Sequence, residues 1–127
     1  MYEDLLEKFE MFREKHYEFT GLIICSNQGD ILFTTQSLEL SSSDCQQIIN
    51  SWLHSAEQLN LHEIRYTILK TDIYQFAALN PHLKKGIVGS MDREYNYAIG
   101  FVDTETNPEN SLLLSSIELN KLVWNMN

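Results

Sequence analysis

A chain of 127 residues, 43% hydrophobic and 21% charged, is long enough for one domain with one core and too apolar to stay disordered. Its 18 acidic against 9 basic side chains give a formal net charge of −9, which opposes non-specific binding to nucleic acid or to an anionic bilayer. Two cysteines without CxxC spacing offer neither a disulfide framework nor a zinc site.

Residues 2–18 fit an amphipathic helix. Tyr2, Leu5, Leu6, Phe9, Phe12, His16 and Phe19 recur at helical spacing, with most of the charges on the other face. Gly21 breaks the pattern and a strand follows at 22–26. Its run LIIC is apolar at every position, which indicates a central strand covered on both faces. Asn27-Gln28-Gly29-Asp30 is turn chemistry, so 31–35 closes a β-hairpin. Ser43 with Gln46 fits a capping box that opens a second helix over 43–60. Its stripe of Cys45, Ile48, Ile49, Trp52, Leu53, Ala56 and Leu59 is wider than one sheet face requires, so Trp52 or Leu53 is a candidate for a second contact. Residues 62–70 (HEIRYTILK) alternate as a strand with Ile64, Tyr66 and Ile68 on one side, and 72–79 form the next strand. Residues 80–86 read as a loop, 87–90 as a short strand piece and 95–103 as the last strand, where Ala98 and Gly100 let a helix approach. Pro108 starts a turn or helix entry, and 111–125 form a closing helix with Leu113, Ile117 and Trp124 near one face. The order α-β-β-α-β-β-β-α, with hairpin-type connections, predicts an α/β (α+β) fold. One domain over 1–127 would form a three-layer α/β/α sandwich around a mostly antiparallel sheet of about five strands.

Chemistry is nearly silent. The P-loop pattern is absent, and Gly86 and Gly89 in GIVGS read as glycines easing a bend or bulge. His16, His54, His62 and His82 have no metal-ligand spacing. Cys45, in the first turn of a helix, is the one thiol whose position could activate it, yet it lies on the apolar stripe. No carboxylate pair is fixed by local spacing as acid and base, so no enzyme, metal or cofactor is expected. Lys84, Lys85 and Arg93 form a basic spot suited to a solvated loop or to the rim of an acidic partner. The charged start MYEDLLEKFEMFREK is unlike a signal peptide, and no apolar run nears the ~18 residues of a membrane span. The expectation is a cytoplasmic protein.

A leading helix, the hairpin GLIICSNQGDILFTT, a capped helix, a three-stranded block and a final helix together resemble the roadblock/dynein light chain family. The segment GIVGSMDREYNYAIGFV is similar to its archaeal members. The stretch NPHLKKGIVGSMDRE before the last strand departs from the family pattern. The resemblance implies a non-enzymatic scaffold or adaptor that dimerises through the edge strand after the central helix. Its partners would be a second copy or a related roadblock-type chain, together with a small Ras-like GTPase that it binds or regulates. On this chain the pairing strand would be 62–70 and the central helix 43–60. The interface candidates are then Ile49, Trp52, Leu53, Ala56, Ile64, Arg65, Tyr66, Thr67 and Ile68, with Trp52 as anchor. The alternative is a PAS- or profilin-like sensory or small-ligand-binding domain, whose central antiparallel sheet is also flanked by helices and which would enclose a pocket. A longin-type module is disfavoured by the helix at 2–18.

Overall fold

The computed structural model describes residues 2–35, 38–106 and 111–125. The apolar run LIIC lies in β1 (Phe19–Cys25), which pairs antiparallel with β2 (Ile31–Thr34) on one side and β7 (Tyr97–Asp103) on the other. Both faces of β1 are covered. Ile23 and Cys25 join one core, and Leu22 and Ile24 join a second core across the sheet. Gly29 adopts φ +89° at the hairpin tip, and a Cβ there would meet Gln46 Cγ at 2.4 Å, so the turn needs glycine on two counts.

The remaining strands are β3 (Gln58–Leu61), β4 (Ile64–Thr71), β5 (Gln75–Asn80) and β6 (Lys85–Met91). All neighbours run antiparallel in one seven-stranded sheet of order β2-β1-β7-β6-β5-β4-β3. The mixed α+β reading with an antiparallel sheet stands; the count of about five strands becomes seven, and the layers are unequal. Among the described residues one face carries a single helix, α2 (Ser42–Leu53), whose Cys45, Ile48, Ile49 and Trp52 sit over Phe76, Tyr97 and Ile99. The other face carries the terminal helices α1 (Leu5–Arg13) and α3 (Leu112–Trp124), which bury Leu5, Phe9, Leu119 and Val123 against Leu22, Ala77, Val88 and Ala98.

Both helix ends of α2 differ from expectation for identifiable reasons. The capping box is Ser41 with Asp44. The Asp44 amide donates to Ser41 Oγ (3.1 Å) and the Ser41 amide to Asp44 Oδ2 (2.9 Å). Gln46 instead donates to the Gln28 carbonyl (2.8 Å), clamping the hairpin tip. At the other end, Ser55 takes φ 49°, its amide bonds to the Trp52 carbonyl, and the Ala56 amide reaches back to the Ser51 carbonyl. This is a Schellman stop with serine in the place usually held by glycine. Residues 58–61 are therefore free to form β3, which turns into β4 through His62 (φ 50°) and Glu63 (φ 66°), a primed hairpin turn.

The first helix is shorter than 2–18, because after Arg13 the chain folds back and Arg13 Nε donates to the Phe19 carbonyl (2.8 Å). Its aromatic stripe still packs as one cluster, with Phe12 against His16 (4.6 Å between ring centroids) and against Phe19 (5.0 Å). The loop and short piece assigned to 80–90 are largely β6. Pro108 lies outside the described residues.

Candidate functional site

The polar side chains that converge in this fold are structural. Tyr2 donates its hydroxyl to Asp92 Oδ2 (2.8 Å) and accepts from Asn96 Nδ2 (2.9 Å), while Asp92 Oδ1 accepts the amides of Glu94 and Asn96. This knot ties the start of the chain to the β6–β7 turn, and burial together with the Asp92 bond pushes the Tyr2 phenol up to about 12. Burial alone would raise the Asp44 carboxyl, but hydrogen bonds from the Ser41 amide and hydroxyl and from His62 Nε2 (2.8 Å) hold it below the ordinary aspartate value. Ser115 donates to the buried Glu18 carboxylate (2.8 Å) and Asn120 to Ser90 (2.7 Å), both fastening α3 to the sheet side. Among the described residues, no three His, Cys, Asp or Glu side chains converge where they could hold a metal ion.

Cys45 is not an accessible nucleophile. Both thiols are fully buried, and their mutual hydrogen bond pushes the Cys25 thiol up while it draws the Cys45 thiol down, so it is burial that withholds Cys45 from reaction.

The residues singled out as an interface are split by the fold. Ile49, Trp52 and Tyr66 are buried in the core beneath α2. Trp52 stacks on Phe76 (5.5 Å), meets Tyr97 edge-on (5.1 Å) and donates Nε1 to the Asp72 carbonyl (2.7 Å). It is a core anchor, and most of the α2 stripe, Leu53 excepted, is used up by covering its sheet face. Ile64 and Ile68 are half-buried against the same core, Ala56 is half-buried, and Leu53 is exposed at the helix end. Strand 62–70 is not an edge: β4 is paired with β3 on one side and β5 on the other, so the pairing proposed for it has no free ladder. Arg65 and Thr67 point to the opposite face with their cross-strand partners Asn60 and Gln58, all exposed.

That opposite face is where the fold leaves broad surface open. The α3 helix lies over β5, β6 and β7, and among the described residues it leaves β3 and β4 uncovered on its side. Along the flank of α3 that borders this strip, Leu113 and Ile117 are exposed, and Trp124 meets Tyr74 edge-on at 6.5 Å with Arg93 over its ring at 5.8 Å. Ile73, the most exposed of the large apolar side chains near it at 71%, adjoins a cleft of about 600 Å³ lined by Asp72, Tyr74, Gln75, Asn120 and Trp124. Sequence placed Leu113, Ile117 and Trp124 on one helix face; the fold turns Leu113 and Ile117 outward, with Trp124 half-buried on the same flank.

The class defined by these features is a mixed α+β domain, with a seven-stranded antiparallel sheet between one helix and the two terminal helices. No family model matches the sequence. The chain is 31% identical over 112 residues to Loki profilin-3 of Lokiarchaeum sp. (strain GC14_75), covering 87% of this chain and 88% of that one. It belongs to the profilin family. Among solved structures, the LokiProfilin2–rabbit actin complex matches with a TM-score of 0.74 at 18% identity over 100% of both chains. LokiProfilin1 matches at 0.73 and 19%, covering 97% of this chain and 98% of that one. Acanthamoeba castellanii profilin IB matches at 0.69 and 11%, covering 90% and 89%.

The roadblock assignment is thereby overturned, and with it the GTPase-regulating scaffold, the Ras-like GTPase and the roadblock-type partner chain. The profilin-like alternative stands closer to these relatives. In this chain β3 occupies the edge beside β4 that pairing through 62–70 would need.

Proposed function

We propose that this chain is a non-catalytic, cytoplasmic, actin-binding profilin, with the α3 flank and the uncovered strip of β3 and β4 as its actin contact. The observation that carries the reading is the 31% identity to Loki profilin-3 across most of both chains. It is supported by fold relatives, LokiProfilin1 and LokiProfilin2, captured in complexes with rabbit actin. The choice of face rests on its make-up. Leu113, Ile117 and Tyr74 supply exposed apolar surface, and Arg65, Thr67, Asn60 and Gln58 supply a polar border, the arrangement of a protein–protein contact patch. Of the residues singled out by sequence, Arg65 and Thr67 belong to this face.

The test is calorimetric titration of monomeric rabbit actin with the wild-type chain, Ile117→Asp, Arg65→Glu and, as a control on the other face, Leu83→Lys. Ile117→Asp places a charge on the exposed apolar flank of α3 and weakens binding roughly 30-fold or more. Leu83→Lys leaves it unchanged. No binding by the folded wild-type chain, or equal affinity for Ile117→Asp, would overturn the reading.

A further inference from the structure

Cys25 is the last residue of β1, and Cys45 stands in the first turn of α2. The hairpin that continues β1 holds the start of α2 in place. The Ser42 hydroxyl donates to the Gly29 carbonyl (2.8 Å), and Gln46 Nε2 donates to the Gln28 carbonyl (2.8 Å). Cys45 lies between these two ties in the chain, and its side chain enters the same core as Cys25, where both are 0% exposed. There the two thiols meet. Cys25 keeps its proton and shares it with the Cys45 sulfur, so their hydrogen bond raises the one thiol and lowers the other. Both cysteines are free. Sequence spacing gives no sign of this pair, because the fold and not local spacing brings β1 and α2 together.

We propose that Cys25 and Cys45 form a redox pair, which closes an intramolecular disulfide when the chain folds in contact with a small-molecule disulfide and so staples α2 to β1. Sulfurs that share a proton need only rotation of two small side chains to reach the bonded separation of about 2 Å. One cysteine thiolate attacks the small disulfide and expels a thiolate, which takes up the proton that the cysteine gave up. The other cysteine then loses its proton and attacks the protein sulfur of the mixed disulfide. The Cys25–Cys45 bond forms, and the second small thiol leaves with that proton. Two cysteine thiols are oxidised and one small disulfide is reduced. In the finished fold neither sulfur meets a bulky reagent, so the exchange is completed as α2 settles on the sheet, and the closed bridge is shielded from reductant in the same way.

The pair lies on the sheet face opposite the proposed actin contact, so this test and the actin titration can fail independently. The chain is unfolded in guanidinium and refolded by dilution into glutathione with glutathione disulfide, or into dithiothreitol. In the glutathione buffer the intact mass should fall by two hydrogens and a peptide map should show Cys25 linked to Cys45. The bridge closes a loop of about 20 residues in the unfolded chain, so Tm should rise by roughly 10 °C over the chain refolded in dithiothreitol. Sulfurs held apart in the fold would give the opposite sign, since forcing them together distorts the core. Cys25→Ala should form no bridge and melt at one temperature in both buffers. Three results would overturn the proposal: a folded wild-type chain carrying only free thiols or glutathione adducts, a bridged chain melting at or below the reduced one, or the same rise in Tm for Cys25→Ala.

Discussion

Gly89 on β6 and Trp52 on α2 provide a sharp check on the fold, because their cost on mutation should depend on each other. A Cβ built on Gly89 lies 2.6 Å from Trp52 Cζ3 and 3.0 Å from Cη2, with Phe76 Cβ at 3.1 Å. Trp52 cannot yield easily, since it is stacked on Phe76 and held by its bond to the Asp72 carbonyl. Gly89→Ala should therefore cost about 1–3 kcal/mol by overpacking, or roughly 3–10 °C in Tm at this chain length. Trp52→Phe removes both clashing ring atoms and the Nε1 donor, and should itself cost about 1–3 kcal/mol. In that background Gly89→Ala should cost less than about 0.5 kcal/mol. The residual clash with Phe76 is offset by the better strand propensity of alanine. Urea denaturation of the four proteins gives the coupling. Equal costs of Gly89→Ala in both backgrounds, within about 0.5 kcal/mol, would show that Trp52 does not lie over Gly89.

The Tyr2 phenol, raised above its ordinary value to about 12, stabilises the fold fully below pH ~10 and loses that contribution between pH ~10 and 12. The phenolate difference spectrum of wild type minus Tyr2→Phe should accordingly titrate near 12, and a transition near 10 would mean the Asp92–Asn96 knot does not form. Asp44, held below the ordinary aspartate value, contributes stability above pH ~4 that disappears as pH falls through its folded value. Wild type should therefore lose more stability on acidification than Asp44→Asn, as read by thermal melts across acid pH. Ser41→Ala removes the other half of the capping box and should cost about 1 kcal/mol, against no measurable change for Ser43→Ala.

The readable parts of the sequence were those where local chemistry and tertiary role agree. LIIC announces a doubly covered strand because every position is apolar. Gly29 announces its turn because only glycine fits there. The strands that escaped notice are encoded by residues that argue against them locally. QLNL at 58–61 continues the leucine spacing of α2, and the stop that ends the helix is an αL serine, Ser55, where glycine would have signalled it. The turn after it uses His62 and Glu63 at positive φ, with none of the Asn-Gly chemistry that marks such turns. KGIVGSM at 85–91 reads only as a loop end and a short strand piece because glycine disfavours strands. Yet Gly86 and Gly89 are needed for Leu112 and Trp52 to come close. The site was harder still. A wide apolar stripe on α2 and an apolar stripe on α3 look alike in sequence, and only the sheet decides which is consumed. Among the described residues the face beneath α2 has a single helix, so Ile49 and Trp52 are spent on the core. The face beneath α3 is shared with α1, which leaves Leu113 and Ile117 outside.

Amide hydrogen exchange of the chain with and without saturating monomeric rabbit actin tests the central claim most directly. Exchange should slow across α3 and along β4 around Arg65 and Thr67, while Leu40, Leu61 and Ile64 on the α2 side keep their free rates. No protection anywhere at saturating actin, or protection confined to the α2 side, would contradict the account.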